Sequence, residues 1–178
     1  FYNFVSGGFS GQLSVYGLPS GRLFRVIPVF SVDPEKGWGY SEETKPMLNT
    51  SHGFVPWDDL HHPKLSRTDG MTDGRWLFAN GNNTPRVARV DLTTFETVEI
   101  MEIPNSAGNH CSPYPTNNNE YILAGTRFSV PLDLEKGGMG DGLSGLEVPR
   151  FCPFHSRLER SDFAAAARNI SLEQLLAA

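Results

Sequence analysis

Short stretches of alternating apolar and polar residues, separated by turns rich in Gly, Pro and Asn, fill most of the chain before residue 125. Residues 12–16 and 22–30 predict one β-hairpin, and residues 86–91 and 98–103 predict a second. Turn-forming residues lie between the two strands of each pair, as a hairpin requires. The pattern therefore predicts an all-β chain built from short antiparallel strands.

The same succession of elements occurs twice along the chain. Each predicted hairpin is followed by a loop that contains histidine and then by a third strand, at residues 75–79 in the first unit and 120–124 in the second. A repeated unit of short strands is typical of a β-propeller, but a propeller needs about four blades or more to close. We therefore expect part of a propeller, amounting to about two to three blades.

The character of the sequence changes towards its C-terminal end. Residues 1–136 form the predicted propeller segment, whereas residues 137–178 begin with a Gly-rich linker. Within this tail, residues 161–168 predict a short helix with Ser161 as its N-cap, and residues 170–176 predict its continuation. No further propeller unit is expected in the tail.

Charge and composition exclude several classes of function. The formal net charge is −5 and the pI is about 5.5, so no basic surface is expected to bind nucleic acid. No run of about 18 apolar residues is present, so no transmembrane helix is predicted. Cys111 and Cys152 lie in dissimilar contexts and indicate neither a disulfide framework nor a CxxC site. The chain begins at Phe1 without a signal sequence, and we expect that a signal has been removed or that the chain starts inside a longer protein.

Three histidines carry the candidate chemistry: His61 and His62 are adjacent, and His110 follows 48 residues after the pair, at the equivalent place in the second unit. Imidazole is the commonest side-chain metal ligand and suits copper, zinc, iron and nickel. Neighbouring side chains of a regular strand point to opposite faces, so the pair cannot reach one metal from such a strand. Asp58, Asp59 and Pro63 favour a twisted loop, which could turn both rings the same way. Asp59 is placed to accept the second ring N–H of one imidazole.

Other interpretations of these residues stay open. Each histidine could cap a loop, and Asp59 could be a solvated turn or cap residue. Three imidazoles also describe a catalytic zinc site with an open position, although no HExxH motif or cysteine cluster accompanies them. His52 and His155 are expected to be surface or structural residues. Cys111 is a soft donor directly after His110, but neighbouring side chains point in opposite directions, which argues against its joining the site.

Many motifs in the same order, over about residues 1–131, resemble nitrous-oxide reductase, a multicopper enzyme family of denitrification. In chain order the matching stretches are SGGFSG (6–11), GLPS (17–20), IPVF (27–30), GWGYSEE (37–43), DLHHP (59–63), TDG (68–70), DGR (73–75) and RVARV (86–90). Two further stretches, EETKPMLNT (42–50) and ANGNNTP (79–85), resemble the atypical branch of that family.

The resemblance implies a seven-bladed propeller to which this chain contributes the N-terminal part. At the hub of such a propeller, seven histidines bind a sulfide-bridged tetranuclear copper cluster. The family's His-His pair and its next histidine match His61, His62 and His110, and Asp59 matches the acidic residue before the pair. The resemblance also implies bound calcium and a C-terminal cupredoxin domain with a dinuclear copper centre, which lies outside this sequence.

The implied reaction is the two-electron, two-proton reduction of N2O to N2 and water in the periplasm. In the family, a c-type cytochrome or similar donor supplies the electrons, and the dinuclear centre serves the propeller of the other subunit in a head-to-tail homodimer. With three cluster ligands, the chain alone is expected to be inactive. Two other hypotheses stay open, namely a non-catalytic propeller scaffold or interaction module and an isolated mononuclear zinc or copper protein.

Overall fold

The computed structural model describes residues 1–103, 106 and 108–125, together with the backbone of residues 146–147. This part of the chain contains twelve β-strands and one short 3-10 helix (Lys45–Leu48), and it contains no α-helix. The strands are β1 (Tyr2–Ser6), β2 (Gln12–Gly17), β3 (Arg22–Pro28), β4 (Asn49–Thr50), β5 (Gly53–Phe54), β6 (Leu60–Thr68), β7 (Met71–Gly81), β8 (Arg86–Asp91), β9 (Glu96–Glu102), β10 (Tyr114–Pro115), β11 (Ile122–Gly125) and β12 (Leu146–Glu147). The predicted all-β class is confirmed.

Strands β6 to β9 form a four-stranded antiparallel sheet in chain order. Such a sheet is the unit from which propeller blades are made. Alternation along β7 places Leu77 and Ala79 in one hydrophobic core and Phe78 in another. Because both faces of the sheet bury apolar side chains, it packs between two neighbours, as a blade does.

Two smaller antiparallel sheets supply these neighbours. Leu13 and Ile27 of the sheet β1–β2–β3 share a core with Leu77 of the blade. In the other core, Ile122 of β11 packs with Phe78. Successive sheets therefore share cores in chain order, and the arrangement is consistent with partial blades of a propeller.

Most of the predicted strands are confirmed to within a few residues. Strands β2 and β3 contain the first predicted hairpin, β8 and β9 the second, and β7 and β11 the two third strands. The expectation of a loop around His61 and His62 is wrong, because both residues belong to β6, which pairs with β7. A run of histidines, proline and lysine carries no period-two signal, and the pairing with β7 provides the stability that local propensity does not.

The predicted linker and helix of residues 137–178, with the cap at Ser161, lie outside the described residues except for the backbone of β12. That strand pairs with β11, and the sequence did not predict it. The domain boundary near residue 136 stays a prediction. Within the described part of the chain, no helix combines the length and the apolar character that crossing a membrane requires.

Candidate metal centre

His61 and His62 lie at the start of β6, where the strand departs from regular geometry. The register against β7 shifts between His61 and Lys64, and His62 has a positive φ of 42°. Pro63 has no N–H to donate to the ladder, so it fits an irregular position. A regular strand would send the two rings to opposite faces, and an irregularity of this kind can turn them to the same side. Their ring centroids lie 5.1 Å apart.

His110 approaches the pair from the segment between β9 and β10. Its ring centroid lies 5.3 Å from that of His61 and 5.0 Å from that of His62. Each ring offers one nitrogen such that the three nitrogen atoms all lie within 4.8 Å of one another. The fold therefore brings together the three histidines that the sequence singled out, from two separate parts of the chain.

The carboxylate of Asp59 orients the first ring of the pair. Its Oδ2 lies 2.9 Å from Nε2 of His61 and also accepts a hydrogen bond of 3.1 Å from the amide of Asn82. A proton held on Nε2 by this carboxylate leaves the lone pair of Nδ1 for a metal. Asp59 is 3% exposed, and its Oδ1 is buried without a hydrogen-bond partner. The contact is of the kind expected from an acidic residue just before a ligand.

The surroundings of the second ring favour its neutral form. Burial lowers the pKa of His62, and the nearby rings of His61 and His110 lower it further. A neutral imidazole is the form that binds a metal, since the protonated ring has no free lone pair. The closeness of the three rings therefore favours the metal-binding form of His62 near neutral pH.

A buried ion pair next to the site was not predicted from the sequence. The side chains of Arg86 and Asp58 are both 0% exposed, and Nη2 of the arginine lies 3.7 Å from Oδ2 of the aspartate. Asp58 also accepts the backbone N–H groups of Asn83 and Thr84, each at 2.9 Å. The pair thus joins the residue before Asp59 to the loop that follows β7. An arginine at the start of an alternating strand gives no sequence signal for complete burial.

Two of the other candidates do not join the three histidines, and two supporting amides were not predicted from the sequence. His52 and Cys111 are exposed and do not belong to the group of potential ligands found among the described residues. His155 lies outside those residues. The amides of Asn80 and Asn82 are buried, yet asparagine in a stretch rich in Gly and Asn reads as a turn former. Their roles depend on partners distant in the sequence.

Comparison with known proteins relates the chain to one enzyme family. No protein-family model matches it. A nitrous-oxide reductase of Pseudomonas fluorescens is 38% identical over an aligned length of 136 residues, covering 74% of this chain and 20% of that protein. For the nitrous-oxide reductase of Stutzerimonas stutzeri the identity is 36% over 132 residues, with the same two coverages of 74% and 20%.

A nitrous-oxide reductase of Cupriavidus necator is 35% identical over 143 residues, covering 74% of this chain and 22% of that protein. The chain thus spans about a fifth of the length of these curated relatives. The matched stretch amounts to about three quarters of this chain in each comparison. Over the matched residues, this chain belongs to the nitrous-oxide reductase family.

Proposed function

We propose that His61, His62 and His110 are ligands of a copper centre at which N2O is reduced to N2 and water. One observation carries this proposal, namely the convergence of three imidazoles whose nitrogens lie within 4.8 Å of one another. Histidines that only cap loops have no physical reason to meet in this way. Membership of the family supplies the reaction, which is carried over as a proposal because the chain spans about a fifth of its relatives.

The donor set fits copper. Imidazole suits copper, and two nitrogens bound to one ion at about 2 Å each lie at most about 4 Å apart. Nitrogens that lie within 4.8 Å of one another can meet at one ion after a small closing movement, or they can bind more than one ion. The second arrangement agrees with a multinuclear centre, in which each histidine binds the metal nearest to it.

The residues around the ligands orient them and set their protonation. Asp59 accepts the Nε2 proton of His61, which makes the other ring nitrogen a stronger donor. Asn82 donates to the same carboxylate oxygen and so fixes its position. Burial lowers the pKa of His62, and repulsion by His61 and His110 lowers it further, which favours the neutral ring. When bound, copper supplies the electron transfer to N2O, which takes up two electrons and two protons to give N2 and water.

We further propose the finer features that the family resemblance implies for the complete enzyme. These are a seven-bladed propeller, a tetranuclear copper–sulfide cluster with seven histidine ligands, a dinuclear copper centre in a cupredoxin domain, and bound calcium. The enzyme would act in the periplasm as a head-to-tail homodimer that receives electrons from a c-type cytochrome or similar donor. The three histidines would be part of the ligand set, so this chain alone would not turn over.

Copper titration of the 178-residue chain tests the ligand assignment. Alanine substitution of His61, His62 or His110 should each weaken copper binding and reduce the number of nitrogen couplings in the EPR spectrum of Cu(II). His52→Ala is the matched control, because His52 is an exposed histidine outside the group. Copper binding that is unchanged in all three variants would refute the assignment. A strong preference for one equivalent of zinc would instead favour the mononuclear hypothesis.

The reaction itself is testable in a full-length enzyme. Residues of this chain would replace the homologous stretch of the Pseudomonas fluorescens reductase, which is 38% identical over the match. The chimera should reduce N2O to N2, and the same chimera with His110→Ala should not. A chimera that folds and binds copper at all its centres but does not reduce N2O would favour a scaffold role for this segment.

A further inference from the structure

Two buried asparagines contact different parts of the histidine group: Asn80 near the end of β7, and Asn82 directly after that strand. Asn82 donates to Asp59, the partner of the first histidine of the pair. Asn80 acts elsewhere, because its Nδ2 donates to the backbone carbonyl of Asn109, the residue before His110. The end of β7 and the residue just after it therefore contact both the His61–His62 pair, through Asp59, and the segment that carries His110.

Asn80 lies between the His61–His62 pair and the segment that carries His110. It is the cross-strand partner of His61 in the pairing of β6 with β7, while its amide contacts the segment that carries His110. Its side chain is fully buried, and its Oδ1 has no hydrogen-bond partner in the described part of the molecule. Burial of an amide oxygen without a hydrogen bond is unfavourable. The favourable interaction of this side chain is the hydrogen bond from Nδ2 to the carbonyl of Asn109.

The segment around His110 has little regular structure of its own. Residues 108–113 form no strand. The amide of Asn109, oriented to satisfy its neighbours, donates to the carbonyls of Gly125 at 2.6 Å and Cys111 at 3.3 Å. Those contacts tie the segment to itself and to β11. The bond from Asn80 ties it to the sheet that carries the other two histidines.

We propose that Asn80 is a positioning residue for metal binding, which sets the distance of His110 from the His61–His62 pair by holding the carbonyl of Asn109. This inference rests on the proposed metal-binding role of the three histidines. The amide of Asn80 contacts the segment that carries His110, so the side chain should act through His110. Its removal should therefore have no further effect on metal binding once His110 has been removed.

Copper affinity, measured on the full 178-residue chain, tests this dependence with a double-mutant cycle. Asn80→Ala and the isosteric Asn80→Asp should each weaken copper binding about 10-fold, as loss of a group supporting a ligand commonly does. In a His110→Ala background the same substitutions should change the affinity less than 2-fold. Equal weakening in both backgrounds, or wild-type affinity in both single variants, would overturn the proposal.

A matched control separates positioning from a general loss of stability. Thr97 is buried and its hydroxyl donates to the carbonyl of Pro28 at 2.8 Å, a bond of the same kind outside the histidine group. Thr97→Val should destabilise the fold to urea but leave copper affinity unchanged. If Thr97→Val weakened copper binding as much as Asn80→Ala, the effect would be structural and the inference would be withdrawn.

A metal-free measurement distinguishes failure of this inference from failure of the copper proposal. The rings of His62 and His110, with centroids 5.0 Å apart, should give proton NOEs in the metal-free chain. Asn80→Ala should abolish these NOEs. If Asn80→Ala abolishes these NOEs but the wild-type chain binds no copper, Asn80 still positions His110, and the proposal that the histidines bind copper is refuted. NOEs of wild-type intensity in the variant would overturn the inference.

A milder substitution covers the risk that these variants do not fold. Asn80→Ser keeps a donor and leaves a smaller gap than alanine, but its hydroxyl is too short to replace the amide bond to Asn109. It should lose the same NOEs and show the same dependence on His110. If none of the three substitutions at Asn80 folds, the residue serves folding of the core and the inference is withdrawn.

Discussion

Substitution of Arg86 by methionine would show how much of the fold depends on the buried ion pair beside the histidines. The guanidinium group is fully buried and makes several contacts at once. It lies 4.9 Å above the ring of Phe30 and donates to Thr84 Oγ1 at 2.6 Å, Val55 O at 2.9 Å and Trp57 O at 3.3 Å. Methionine retains the apolar volume and removes all the donors.

The expected loss is about 3–5 kcal/mol of unfolding free energy, the usual effect of leaving one partner of a buried pair behind. Burial lowers the pKa of Arg86 and the charge of Asp58 opposes this, so the arginine remains charged. After substitution, Asp58 would still accept hydrogen bonds from the N–H groups of Asn83 and Thr84. The loss of unfolding free energy should therefore lie near the lower end of this range. The unfolding free energy of a natural protein is about 5–15 kcal/mol in total, so this loss would be a large fraction of it.

Urea unfolding followed by tryptophan fluorescence gives the measurement. Arg89→Met is the control, because Arg89 pairs with Glu99 at 2.9 Å in a partly exposed position, and its loss should stay near 1 kcal/mol. The double variant Asp58→Asn with Arg86→Met should be less destabilised than the sum of the two single variants. A loss below 1 kcal/mol for Arg86→Met would show that the pair does not stabilise this part of the fold.

Two further predictions concern a glycine and a carboxylate. Gly11→Ala should abolish cooperative thermal unfolding, because the added Cβ would overlap the carbonyl of Phe30. Gly21 has the same φ of 67° but open space around it, so Gly21→Ala should lower the unfolding free energy by about 1 kcal/mol. Similar melting curves for the two variants would contradict this reasoning. Burial raises the pKa of Asp73, but hydrogen bonds led by the one from Ser66 outweigh it and lower the pKa below 3.8. This ionised carboxylate therefore stabilises the fold above its unfolded pKa and loses that effect as pH falls through the lower folded pKa. Asp73→Asn should flatten the dependence of urea midpoints on pH below about pH 4, and an unchanged slope would contradict the reasoning.

The sequence by itself determined the fold class and singled out the three histidines of the candidate site. Alternation of apolar and polar residues is a local property, so the hairpins of β2–β3 and β8–β9 were predictable from short windows. The three histidines stood out because imidazole is a versatile ligand and because their positions recur in a repeated unit. Neither inference required knowledge of which residues meet across the fold.

The tertiary structure alone decided how these residues are held. β6 is a strand because β7 pairs with it, and the positive φ of His62 arises at an irregularity in that pairing. Burial of Arg86 against Asp58, and the bond from Asn80 to Asn109, join residues about 30 positions apart in the sequence. Polar side chains look the same in a sequence whether solvent or a buried partner satisfies them, so only their three-dimensional neighbours reveal these roles.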